Sequence, residues 1–146
     1  VGVKLGNPEF SSQVFIGDGG FRYIAGALEN AQNLGVVVWV IDNRGYHIVG
    51  EGLKVVIPKV DPRRYHSDIP PEREPVDFVG VAKAYHWDSY TLSPKLDNLE
   101  EVMERVYSGS SRSVLISMRV DRKIIIGQNP RLLGLRAHGV QSQTYL

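Results

Sequence analysis

The sequence predicts an α/β domain of three layers, with helices on both faces of a mainly parallel sheet. Two observations carry this. Gln13-Val14-Phe15-Ile16 is a short apolar strand, and after it Phe21, Ile24, Leu28, Ala31 and Leu34 recur at helical spacing. Then Val36-Val37-Val38-Trp39-Val40-Ile41 runs apolar and mostly β-branched without interruption, the pattern of a strand buried on both faces. Strand, helix and buried strand form a βαβ unit, whose strands must be parallel and whose crossover is right-handed.

The other elements follow in chain order. Val1-Gly2-Val3-Lys4-Leu5-Gly6 reads as the last turn of a helix stopped by Asn7-Pro8, so the chain is expected to be a fragment truncated at its N-terminus. Gly35 closes the first long helix. Residues 44–75 are rich in glycine, proline and charge, with one short strand expected at Leu53–Ile57; a connection this long is usually functional or mobile. From Pro75 to His86 the residues Phe78, Val81, Ala82 and Tyr85 share a helical face behind Asp77. A strand is expected at Ser89–Leu92. Asp97–Tyr107 reads as a helix with Leu99, Val102, Met103 and Val106 as its buried stripe and Asp97 and Glu100 at capping-box spacing. Val114–Val120 is a further strand. The expected division is a domain over residues 1–120 and a C-terminal tail over 121–146, in which Ile124–Ile126 and an amphipathic patch at Leu132, Leu133 and Leu135 find no place.

Composition narrows the function. The chain has 146 residues, is 42% hydrophobic, and carries 17 Lys+Arg against 16 Asp+Glu. That is enough for one core, and the balanced charge gives no footprint for nucleic acid or an anionic membrane. With no cysteine, disulfides, zinc thiolates and thiol nucleophiles are excluded, and a reducing cytoplasm fits. No apolar run approaches the roughly 20 residues that span a bilayer.

The chemistry gathers after the first two strands. Gly17-Asp18-Gly19-Gly20-Phe21 ends one strand and begins a helix; Asp42-Asn43-Arg44-Gly45-Tyr46 ends the other. Ligands of open α/β sheets bind at the carboxyl ends of strands. Glycine backbone and a helix start favour a phosphate, Asp18 and Asn43 each offer a hard oxygen, and the Gly45 carbonyl can offer another. With a diphosphate and a water these would complete an octahedral Mg²⁺ shell. Asp-Gly is also a strong turn dipeptide, and an Asn after a strand also makes an Asx turn. The pairing of both motifs around a helix and a buried strand favours the ligand reading.

Gly17-Asp18-Gly19 followed some two dozen residues later by Asp42-Asn43 resembles the motif of thiamine diphosphate-dependent enzymes. Val1 to Arg119 resembles the diphosphate-binding domain of the acetolactate synthase and 2-oxo acid decarboxylase group. Asp77–Tyr85 and Leu99-Glu100-Glu101-Val102 are similar to further stretches of that domain. The resemblance implies thiamine diphosphate and Mg²⁺ as cofactors. It implies Asp18, Asn43 and the Gly45 carbonyl as metal ligands, with Gly17, Gly19, Gly20 and Tyr46 beside the cofactor. It implies an enzyme, a lyase or transferase acting on a 2-oxo acid. Activation by a glutamate from a separate domain or subunit, within a homo- or hetero-oligomer, is part of the same expectation.

Gly20 stands where that family commonly has Ser or Ala. Val49 stands where pyruvate decarboxylases place a glutamate, which tilts the reading toward carboligation; Glu51 is near but out of register. The strand and helix that precede this region in the family have no counterpart before Val1. His47 and Glu51 are the candidate catalytic residues, though a loop histidine in solvent is the commoner situation. Two other readings remain. One is a subunit of a split decarboxylase or of a 2-oxo acid:ferredoxin oxidoreductase. The other is a non-catalytic nucleotide- or diphosphate-binding module, which no G-x-G-x-x-G after a strand supports. His66, His86 and His138 lack metal-ligand spacing. Arg63, Arg64 and Lys59 read as a solvated loop, and Trp39, Tyr85 and Trp87 as packing residues.

Overall fold

A computed structural model describes residues 1–46, 74–108 and 110–121. Val1–Asn43 and Pro75–Val120 form one compact unit; Arg44–Tyr46, Glu74 and Asp121 are the described residues of a second. The expected strand at Leu53–Ile57, the apolar residues of the tail, and His47, Val49, Glu51, Lys59, Arg63, Arg64, His66 and His138 lie outside the described residues.

The first unit opens with a short helix α1 (Gly2–Gly6) and continues through β1 (Ser12–Gly17), α2 (Asp18–Ile24), a 3₁₀ helix (Ala25–Ala31) and β2 (Val36–Asp42). After residue 74 come α3 (Phe78–Ala84), β3 (Asp88–Leu92), α4 (Leu99–Val106) and β4 (Val114–Arg119). The four strands form one parallel sheet in the order β1-β2-β4-β3. The expected α/β class and the parallel βαβ unit are both present.

Alternation along β2 and β4 builds the layers. Val36, Val38, Val40 and Leu115 meet Phe21, Leu28 and Ala31 and, from α3, Phe78 and Ala82 on one face. Val37, Trp39, Val114 and Ile116 meet Val102 of α4 on the other, with Leu99, Met103 and Val106 packed beside it. The described helices of the β1-to-β2 and β2-to-β3 connections (α2 with the 3₁₀ helix, and α3) thus lie on one face and α4, between β3 and β4, on the other, as right-handed crossovers require. Each fully buried valine or leucine here contributes roughly 1.5–3 kcal/mol relative to exposure.

Three local expectations change. The helix after β1 is not α-helical to Leu34. It turns 3₁₀ at Ala25, one residue before Gly26, whose helix propensity is about 1 kcal/mol below alanine. In a 3₁₀ helix every third residue shares a face, so Ala25, Leu28 and Ala31 point together at the core while Ile24, expected on that face, is 42% exposed. The capping box before α4 does not form either. Asp97 accepts from Ser93 Oγ, and Asn98, at the cap position, turns back toward β3: its Oδ1 accepts from Ser93 N at 2.9 Å and its Nδ2 donates to Thr91 O at 2.9 Å. The strand end and its turn thereby outcompete the helix start for these side chains.

The third change concerns the bounds of α3. It begins at Phe78 rather than Pro75, capped by Asp77 Oδ1 accepting from Gly80 N at 2.9 Å. It ends in a Schellman pair, Trp87 N to Ala82 O and His86 N to Lys83 O, with His86 in the left-handed region at φ 61°. His86 thus follows the Tyr85 C-cap in the left-handed position that closes the helix. Trp87 is buried and donates from Nε1 to Leu28 O at 2.9 Å, tying α3 to the 3₁₀ helix. Gly35, at φ 61°, makes the turn into β2, where its N–H reaches Ser111 O at 2.8 Å.

Ser113, fully buried, is a tie that no sequence pattern marks. Its Oγ donates to Ala31 O at 2.5 Å and accepts from Val36 N at 3.0 Å, joining the start of β4 to both ends of the turn that enters β2. Among the described residues no helix is long and apolar enough to cross a membrane.

Candidate functional site

β1 and β2 pair in parallel, with Gly17 opposite Ile41. Asp18 and Asn43 therefore leave the carboxyl ends of neighbouring strands, whose spacing in a sheet is about 4.8 Å. The sequence placed them there, and the register brings them together.

Gly17, in an extended conformation (φ −70°, ψ 156°), is the N-cap of α2, and Asp18 is its first residue. The helix starts here because Phe21, one turn on, anchors it: Phe21 is 1% exposed and meets the Phe78 ring edge-on at 5.4 Å. That anchor pulls Asp18 inward, to 2% exposure. Arg22, a turn later, brings Nη2 to 3.4 Å from Asp18 Oδ2. Gly19 is buried beside Asp18 and Gly20 is exposed. A Cβ on residue 20 would approach Ile16 Cγ1 to 3.1 Å and Cδ1 to 3.3 Å, so a serine or alanine there would need the half-buried Ile16 side chain to give by a few tenths of an ångström.

At the end of β2, Asp42 is 6% exposed and faces its register partner Arg119, Nε to Oδ2 at 3.8 Å. Val120 N donates to Asp42 O at 3.0 Å, so the strand end is pinned from the β4 side. Asn43 follows. Its Oδ1 is buried and accepts no hydrogen bond among the described residues. A buried amide oxygen left so costs about 1–3 kcal/mol, which points to a ligand as its partner. Arg44, the next residue, has φ 59°, a conformation that costs a non-glycine residue about 1–2 kcal/mol and is often found at functional sites. Gly45 and Tyr46 follow it in the second unit.

The donor set is hard and oxygen-based: one buried carboxylate and one orphaned amide oxygen. Among the described residues no group of three or more His, Cys, Asp or Glu could hold a metal alone. A cation here would need further oxygens from a bound group, and Mg²⁺, which demands oxygen and shares its shell with phosphates, fits that arrangement. The side chains set aside in the sequence behave as packing residues. Trp39 stacks on Phe15 at 5.7 Å and donates from Nε1 to Gln13 Oε1 at 3.1 Å. Tyr85 packs half-buried against the first-face core. Arg22 was missed; its only signal in the sequence is the spacing of four from Asp18.

The fold has solved relatives. A thiamine diphosphate-dependent 4-hydroxybenzoylformate decarboxylase from Rhodococcus jostii RHA1 superposes with a TM-score of 0.70 at 23% identity, over 83% of this chain and 22% of that one. A benzoylformate decarboxylase from Polynucleobacter necessarius gives 0.68 at 20% identity, over 85% of this chain and 22% of that one. The chain thus spans about a fifth of the length of either protein. No curated protein matches it by sequence. The thiamine pyrophosphate enzyme family's C-terminal TPP binding domain matches residues 1–118. Thiamine diphosphate is the cofactor of that family, and Mg²⁺ is typical of how the domain holds the diphosphate. A parallel sheet with Asp18 and Asn43 at adjacent strand ends, and a family match over most of its length, show that this chain belongs to the C-terminal TPP-binding domains of thiamine diphosphate-dependent enzymes.

Proposed function

We propose that this chain holds the diphosphate end of thiamine diphosphate through Mg²⁺, as part of an enzyme that decarboxylates a 2-oxo acid. The observation that carries the reading is the buried Asn43 Oδ1 without a hydrogen bond, one strand away from the buried Asp18 carboxylate. Asp18 and Asn43 would hold the metal with the Gly45 carbonyl, and Gly17, Gly19, Gly20 and Tyr46 would line the diphosphate. When bound, the cofactor supplies the carbanion that attacks a 2-oxo acid. This chain's residues contribute binding and orientation. The burial of Asp18 and of the Asn43 Oδ1 would limit the competition of water for the cation. His47 and Glu51 are the candidates for handling a proton or the substrate carboxylate.

The decarboxylation itself is the step the relatives' names support, since both are decarboxylases of aromatic 2-oxo acids. Protonation to an aldehyde or carboligation, acetolactate synthase-like, would follow; Val49, in place of an acid, leans toward ligation. The activating glutamate is assigned to another domain or subunit of a cytoplasmic homo- or hetero-oligomer. A split decarboxylase or a 2-oxo acid:ferredoxin oxidoreductase subunit would use the same site. Residues 1–120 are taken as the cofactor domain and 121–146 as a tail.

Calorimetric titration tests the assignment. Thiamine diphosphate is expected to bind only with Mg²⁺, and Asp18→Ala to weaken it by more than about 10-fold, since even residues that only support metal ligands cost that much. Tighter binding of NAD or ATP than of thiamine diphosphate would instead favour a nucleotide module. Residues 1–146 alone are expected to show no decarboxylation; turnover by the purified chain would remove the need for a second domain.

A further inference from the structure

Asp18 is a carboxylate at 2% exposure whose Oδ2 already faces a cation of the chain's own, Arg22 Nη2 at 3.4 Å. The Arg22 side chain is 24% exposed, so its guanidinium sits at the boundary between the site and solvent. A buried carboxylate needs compensation for lost hydration, and a nearby guanidinium gives it. A divalent metal gives it more strongly. Two cations on one carboxylate repel each other, so whatever Arg22 contributes to Asp18 in the empty protein is lost or reduced when a metal arrives.

We propose that Arg22 is a positioning residue that acts through Asp18: it neutralises and orients the carboxylate while the site is empty and yields it to Mg²⁺ on loading. The inference rests on Asp18 being a metal ligand, as proposed above. Oδ2 faces Arg22, and an ionised carboxylate, with two oxygens and about four lone-pair sites, can accept from more than one partner at a time. Partial exposure gives the guanidinium a path to water when it is displaced. Because binding free energy is the difference between loaded and empty states, a group that stabilises only the empty state weakens metal affinity. Arg22 thus trades cofactor affinity for a stable empty domain. The i,i+4 order, acid before base along the helix, is the favourable one, which helps to preserve the pair until a metal competes for it.

The test uses the full chain with Mg²⁺ and thiamine diphosphate as probes, read by thermal melting and by the Mg²⁺ concentration that half-saturates cofactor binding. Arg22→Met is expected to melt lower than the parent when empty and at the parent's temperature when loaded. Its half-saturating Mg²⁺ should fall by roughly five-fold or more, the lower end of ordinary coupling between two ligands of one group. Arg22→Lys should restore the parent's behaviour in both readouts. An ordinary structural ion pair would lower both melting temperatures equally and leave the Mg²⁺ requirement unchanged, which would overturn the inference. So would weaker binding in Arg22→Met, which would place Arg22 on the diphosphate instead. If Arg22→Met folds only when loaded, the inference is supported; if both Arg22→Met and Arg22→Gln fail to fold in either state, it is overturned. Asp18→Ala, which removes every side-chain oxygen, separates the two levels. Retained Mg²⁺-dependent binding in Asp18→Ala refutes the ligand assignment itself. Binding lost in Asp18→Ala but unchanged in Arg22→Met refutes the role of Arg22 alone.

Discussion

β1 and β2 are neighbouring parallel strands with much the same apolar vocabulary, and each delivers one residue to the site. Their surroundings differ sharply. All of Val36–Val40 is buried, Val40 fully, whereas β1 is an edge among the described strands, with Val14 at 39% exposure and Phe15 at 65%. Asp18 and Asn43 inherit this difference. Asn43 leaves a strand held on both sides, and its amide oxygen is aimed by a frame that does not need it. Asp18 leaves the edge and depends on α2, through Phe21, for its position. One half of the site is set by the sheet and the other by a single helical turn.

Substitutions can break that contrast, and the largest effect lies along the strands. Val40→Asp would bury a charge with no partner, costing about 3–5 kcal/mol, much of a domain's usual stability. Val14→Asp on the exposed edge should cost less than about 1 kcal/mol. Urea midpoints of the two variants measure the difference, and equal losses would mean that β1 is covered in solution. Next come the site residues in the empty protein. Asp18→Ala removes the carboxylate facing Arg22 and should cost about 1.5–3 kcal/mol. Asn43→Ala removes an unsatisfied acceptor and should leave the empty domain within about 1 kcal/mol of the parent, or slightly more stable. Chemical denaturation without cofactor distinguishes them; a large loss in Asn43→Ala would show that its oxygen has a structural partner. The smallest effect concerns the aromatic seam between the strands. The Phe15–Trp39 stack should couple by about 0.5–1.5 kcal/mol in a double-mutant cycle of Phe15→Ala and Trp39→Leu. A cycle that closes to zero would show that the edge ring is idle.

Legibility followed the same divide. The central strand was plain because burial on both faces demands an unbroken apolar run, and β2 spans Val36–Asp42 against an expected Val36–Ile41. The motif residues were found because glycine-rich strand ends with an acid and an amide are unusual together. Asp97 and Glu100 misled because their spacing fits a capping box, yet Asp97 pairs with Ser93 and Asn98 holds the cap position. Ile24 misled because it closes α2 just where the winding changes to 3₁₀, so the α-helical period does not carry through it. Arg22 and Ser113 gave no warning. An arginine four residues from an acid, or a serine before a strand, is ordinary until the fold decides what it faces.

The sequence by itself determined the α/β class and the parallel pairing, and it named the candidate site residues, because periodicity and motif are local properties of the chain. Only the tertiary structure decided that Asp18 is buried against an arginine and that the Asn43 oxygen is buried without a hydrogen bond among the described residues. Those facts depend on which strands become neighbours and which helix covers them, and burial, unlike spacing, arises from the packing of segments distant in the chain.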